Sequence, residues 1–141
     1  MKKKALISVK NVQKIDGEKE VIELITEGEF YKNDDKYIAE YDESELSGLE
    51  GTRTTLMLEK DKVSIIRRGT TNSDLVFKRG QSVVSFYTTQ FGVLNITIRP
   101  RTVQVNVDEN GGNVKLEYEI NSNGDGFIDN SLELNINLPK N

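Results

Sequence analysis

The sequence predicts an all-β protein, an antiparallel up-and-down β-barrel of about ten strands. Three observations carry this. Apolar and polar residues alternate with a period of two in almost every segment, so each strand has one apolar face. Turn signals such as Asp-Gly and Asn-Gly fall between the segments, which links consecutive strands as hairpins. No amphipathic helix of useful length interrupts the series. Apolar residues make up only 35% of the 141, which suits strands with one wet face better than strands buried on both. A meander this long curls, and closure removes its exposed edges. A two-sheet sandwich is the alternative.

Ala5, Ile7 and Val9 alternate with Leu6, Ser8 and Lys10 in the first strand, and Asp16-Gly17 turns the chain. In the long second strand Ile22, Leu24, Thr26, Gly28 and Phe30 are expected to face in, with Glu23, Glu27 and Glu29 in water. Gly28 inside this run marks a bend or bulge. After a turn at Asn33–Lys36, Tyr37, Ala39 and Tyr41 share one face of the third strand, and Ile38, Glu40 and Asp42 the other. The connection Ser44–Gly51 is the one that is not a plain hairpin. It can hold a single helical turn but is too short for a stable helix.

Thr54, Leu56 and Leu58 are in phase on the fourth strand, and Val63, Ile65 and Arg67 on the fifth. Gly69 to Ser73 reads as a polar loop and Leu75-Val76-Phe77 as a short strand. Val83, Ser85 and Tyr87 alternate with Val84, Phe86 and Thr88 in the next. Leu94, Ile96 and Ile98 are even-numbered, whereas Val103, Val105 and Val107 beyond Pro100 are odd. A strict period of two cannot hold both sets on one face, and proline lacks the ladder donor. A bulge or break is therefore expected at Arg99-Pro100-Arg101. A hairpin loop at 108–112 precedes a strand with Val114, Leu116, Tyr118 and Ile120 inward. After a loop at 121–129, Leu132, Leu134, Ile136 and Leu138 complete the series.

The composition restricts chemistry more than it suggests any. The chain has no cysteine, histidine or tryptophan. Disulfides, thiol nucleophiles, thiolate or histidine metal sites and a Ser-His-Asp triad are excluded. Any catalysis would rest on carboxylate, Lys, Arg or Tyr groups. The length is that of one domain spanning 1–141. Met1-Lys2-Lys3-Lys4 starts like a signal peptide, but Ala5-Leu6-Ile7 gives way at once to Ser8 and Lys10, so neither a signal peptide nor a membrane span is expected and the cytoplasm is the default.

The net charge of −4 is unevenly spread. Residues 1–51 carry 8 basic and 13 acidic side chains, residues 52–101 carry 9 and 3, and residues 102–141 carry 2 and 7. Basic middle strands that pair with acidic neighbours across the sheet are the simpler reading; a basic face for an anionic partner is the sharper one. The acidic total disfavours nucleic acid, although Phe86, Tyr87 and Phe91 near basic strands offer a stacking surface.

Four residues form the candidate ligand-binding site: Tyr41, Glu43, Arg67 and Tyr87. Tyr41 and Glu43 share a face, and Arg67 is in phase with Val63 and Ile65. An inward Arg needs a partner, for which a carboxylate is suited, and Tyr87 adds a hydroxyl. Such a cluster can orient an anionic or hydroxylated ligand; a structural ion pair that fixes register is the competing account. Asn121-x-Asn123-x-Asp125-Gly126 imitates the start of an EF-hand loop, but Leu132 stands where the bidentate Glu belongs, so no metal is expected. No glycine-rich phosphate loop occurs, and no carboxylate pair is singled out by spacing.

Taken together, Tyr41-x-Glu43, Gly51-Thr52, Ile66-Arg67-Arg68-Gly69, Tyr87-x-Thr89-x-Phe91-Gly92 and Leu116-x-Tyr118 resemble the uncharacterised bacterial family typified by YwiB, a domain of unknown function. The resemblance covers nearly the whole chain. It implies a calycin-like (lipocalin-like) β-barrel and brings no catalytic residue and no cofactor. The function expected is non-enzymatic binding of a small molecule inside the barrel, by a monomer or homodimer. The rival is a protein-interaction module whose barrel is filled by its own side chains.

Overall fold

The computed structural model describes residues 2–89, 92–122 and 126–139, the side chains of residues 46, 89 and 122 excepted. These residues form ten antiparallel strands: β1 Lys3–Ile15, β2 Glu18–Asn33, β3 Lys36–Asp42, β4 Thr52–Leu58, β5 Lys62–Gly69, β6 Asn72–Lys78, β7 Val83–Thr89, β8 Gly92–Asp108, β9 Gly111–Ser122 and β10 Phe127–Asn137. Each strand pairs with the next, and β1 pairs with β10 to close the barrel. A single 3₁₀ turn, Glu45–Ser47, sits in the connection between β3 and β4. No helix of the described residues is long and apolar enough to cross a membrane.

The alternation in the sequence becomes an inside and an outside. Ile7, Phe30, Leu58, Val63, Phe77, Ile98, Val103, Leu116, Leu134 and Ile136 are buried in the interior. Ile7 faces Ile136, and Val9 faces Leu134, across the closing β1–β10 pair. Phe77 and Tyr118 meet edge-on with centroids 4.7 Å apart, a favourable aromatic geometry.

The phase change in β8 is resolved by a bulge. Pro100 pairs with Tyr118 and Thr102 with Glu117, which leaves Arg101 as the extra residue. The bulge lets Ile96 and Ile98 before it, and Val103 after it, all point inward. Gly28 does not produce a bulge: its pairing with Ala5 continues an unbroken β1–β2 register. It marks a close approach instead, since a Cβ there would lie 2.3 Å from the Glu40 carbonyl oxygen and 2.5 Å from Ile7 Cδ1.

Three other expectations change, and one pair of outward residues is buried. Ile22 is in phase with the core but 48% exposed, because β2 pairs with β3 only from Glu29 to Asn33 and its first half has no neighbour on that side. Ile38 and Glu40 point outward yet are buried, covered by the flanking Tyr31, Met57 and Arg53. The expected loop at 69–73 is shorter, because β6 begins at Asn72 and Ser73 pairs with Arg67 inside the ladder. The loop at 121–129 shortens likewise, as β9 runs to Ser122 and β10 begins at Phe127; residues 123–125 of the EF-hand-like segment lie outside the described residues.

The charge pattern is largely absorbed across strands. Arg53 reaches Glu29, Glu40 and Asp42; Arg99 reaches Glu119; Arg101 reaches Asp129. In each case a basic middle strand meets an acidic flanking one. Phe86 faces out and Tyr87 in, so these two rings do not share one stacking surface.

Candidate functional site

Cross-strand register assembles the site. Tyr41 of β3 pairs with Thr54 of β4, Thr54 with Arg67 of β5, and Arg67 with Ser73 of β6. Ser73 then pairs with Tyr87 of β7, and Tyr87 with Leu94 of β8. The result is one lateral row of inward residues, Tyr41-Thr54-Arg67-Ser73-Tyr87, that bridges five strands. Directly paired residues face the same side of a sheet, so the row is a consequence of register alone. Glu43 stands just past the end of β3, where its backbone N–H donates to the Thr52 carbonyl at 2.8 Å.

Thus Tyr41, Arg67 and Tyr87 fall on one row, and Glu43, two residues beyond Tyr41, reaches back to Thr54 and Arg67 with its side chain. Glu43 is buried and accepts a hydrogen bond from Thr54 Oγ1 at 2.5 Å. Its Oε2 lies 3.9 Å from Arg67 Nε, close enough for charge attraction but not for a hydrogen bond. Tyr41 is buried beside them. Desolvation first, and then the charge of Glu43, raise its hydroxyl pKa well above the ordinary value, so it stays protonated. Burial likewise raises Tyr118, on β9, which feels the charge of Arg67. Tyr87 packs partly buried against the core, two strands from Arg67, so roughly 10 Å separates their backbones.

Two side-chain polar atoms in this structure are buried with no hydrogen-bond partner among the described residues: Arg67 Nε and Ser73 Oγ. They are cross-strand neighbours in the row. Native interiors leave few such atoms unsatisfied, and an unsatisfied donor on a guanidinium is costly. Their adjacency defines a small polar spot facing the interior, with the Tyr87 hydroxyl beyond it. Ser73 and Thr54 were not legible as site residues. Thr54 looks like any in-phase strand residue, and Ser73 is hidden in a polar run that resembles a loop.

A cavity of about 290 Å³ opens where the β2–β3 pairing ends, lined by Lys4, Glu27, Gly28, Glu29, Tyr41, Asp42 and Arg53. It touches the row at Tyr41. A cleft of about 200 Å³ around Arg101, Glu117 and Asp129 lies on other strands, away from the row. On the outer wall Tyr31 donates to Glu40, whose other oxygen accepts from Arg53 at 3.1 and 3.2 Å. Burial opposes ionisation of Glu40, but those hydrogen bonds outweigh it and hold its carboxyl below the usual range. The same hydrogen bond, with partial burial, raises Tyr31 to about 12. This wall cluster is internally satisfied. Among the described residues no group of three or more carboxylates is placed to hold a metal ion.

Residues 7–134 match the model of the family described as Domain of unknown function (DUF1934). The chain is 29% identical over 115 residues to a protein of Bacillus subtilis (strain 168) described as "Uncharacterized beta-barrel protein YwiB", which covers 81% of this chain and 79% of that protein. The crystal structure of the ywiB protein from Bacillus subtilis superposes with a TM-score of 0.77 at 22% identity, covering 95% of this chain and 92% of that one.

Proposed function

The chain belongs to the DUF1934 family, whose function is unknown, and from that premise we propose that it is a non-enzymatic, calycin-like binding protein that takes a small molecule into its barrel. The ligand has an apolar body and a hydrogen-bond acceptor, a carbonyl or carboxylate. The observation that carries this is the adjacent pair of unpartnered buried atoms, Arg67 Nε and Ser73 Oγ. Nε–H is a donor that needs an acceptor, and Ser73 can donate or accept. Glu43 holds Arg67 by charge but leaves that donor free. Tyr41, between the seam cavity and the row, lies on the entry side. Tyr87 supplies a hydroxyl at the far end.

The test is native mass spectrometry of gently purified protein against the denatured chain mass. A mass excess that disappears on denaturation is expected, and its fragmentation names the ligand class. Ser73→Ala is expected to leave stability within about 0.5 kcal/mol, because the hydroxyl makes no bond to lose, and yet to reduce the retained ligand. A bare chain mass in the wild type, unchanged by added ligand candidates carrying an acceptor, overturns the reading. It would favour the interaction module, to which Val84, Phe86 and Val93, each at least 60% exposed on adjacent strands, give independent support.

A further inference from the structure

Strand β2 has an open edge. It pairs with β1 from Glu18 to Phe30 but with β3 only from Glu29 onward, so among the described residues the edge from Glu18 to Gly28 carries no ladder. Two turns fix which backbone groups it presents. The two-residue turn at Asp16-Gly17 makes Ile15 and Glu18 a hydrogen-bonded pair, so even-numbered residues of β2 bond to β1. The turn after Asn33 makes Asn33 and Lys36 such a pair, so odd-numbered residues bond toward β3. The two phases agree. Lys19, Val21, Glu23 and Ile25 therefore present N–H and C=O groups outside any ladder at the open edge, as does the Glu27 N–H, while the Glu27 carbonyl accepts from Thr26 Oγ1 at 3.3 Å. Val21 and Ile25 are also 50% and 68% exposed.

We propose that this edge pairs with the same edge of a second copy, antiparallel, about a two-fold axis at Glu23. Such a contact is isologous, so the segment must complement itself. With Glu23 opposite its own copy, Val21 meets Ile25 twice and Lys19 meets Glu27 twice. On the other face Ile22 meets Leu24, which covers a side chain that the single barrel leaves half-exposed. Moving the axis to Ile22 or Leu24 sets Val21 against Glu23 or Glu27, which separates the apolar pair and the ion pair. Lys10 lies opposite Glu23 on β1 and sets one positive charge on the same face beside each of the two Glu23 carboxylates. A match of charge with charge and apolar with apolar in one hydrogen-bonding register points to a second copy rather than an unrelated peptide. It is independent of the interior site.

Sedimentation velocity over a concentration series tests this. The wild type is expected to show a monomer–dimer equilibrium. Ile25→Pro removes an N–H that faces only the open edge, so the β1–β2 ladder and the circular dichroism are expected to persist while the dimer is lost. Ile25→Lys should do the same without a backbone change. Lys19→Glu should weaken the dimer about tenfold, and adding Glu27→Lys should restore it. A wild type that stays monomeric at every concentration overturns the proposal. So does a dimer that survives both Ile25 variants, or a double charge variant no tighter than the single one.

Discussion

Arg67 and Glu43 interact without a hydrogen bond, and that geometry separates two effects that are usually confounded. The Glu43 side chain is 2% exposed and that of Arg67 18%. Replacing Arg67 by Leu leaves a buried carboxylate with Thr54 as its partner and no countercharge. We expect a loss of about 3 kcal/mol in denaturant unfolding, with most of it recovered when Glu43→Leu is added. If the double variant is as unstable as the single, the pair holds register rather than answering a ligand. Glu40 makes a separate prediction. Its carboxyl pKa is lowered in the folded state, so the stability it contributes is present above about pH 4.5 and is lost as pH falls through the lower folded value. Glu40→Gln should flatten the acid limb of a stability–pH curve below pH 4.5 relative to the wild type.

Among the elements, β8 shows most clearly how a residue count becomes geometry. Arg101 is the single unpaired residue between Pro100 and Thr102, and its side chain ties the bulge to β10 through Asp129 at 2.9 Å. Deleting Arg101 would put Val103, Val105 and Val107 in the same period-two phase as Ile96 and Ile98, so that both sets stay inward in a strand without a bulge. The expected outcome is a protein that keeps a cooperative thermal transition by circular dichroism; a deletion variant that loses it would show that the added twist of the bulge is needed to close the barrel. Arg101→Ala, which keeps the extra residue, should stay close to wild type, because a half-exposed ion pair contributes about 0–1 kcal/mol.

In the whole molecule, the decisive contact joins the two ends of the chain. β1 meets β10 through pairs such as Ile7 with Ile136, while every other strand pairs with its sequence neighbours. Loop closure over the full chain must occur before this contact repays it. Ile136 is 2% exposed, and Ile136→Ala should lower stability by about 2–4 kcal/mol. Fluorescence and circular dichroism should still report one coincident transition, since a barrel without its closing pair exposes the whole interior. Two separated transitions would show that the β1–β10 seam opens on its own.

The sequence alone determined which residues could share a face. The inward series in β4, β9 and β10 and the need for an irregularity near Pro100 follow from period-two geometry, which depends only on neighbours along the chain. It also made Tyr41, Glu43, Arg67 and Tyr87 candidates, because polar residues in an apolar phase are visible without coordinates. Which residues lie opposite one another was decided by tertiary structure. Register places Thr54 and Ser73 between Tyr41 and Tyr87, and nothing local to Asn72-Ser73-Asp74 distinguishes that segment from a turn. The exposure of Ile22 was settled in the same way, since its phase is right and its neighbour is absent. Phase is written in the chain, whereas the extent of each ladder is set only when the barrel closes.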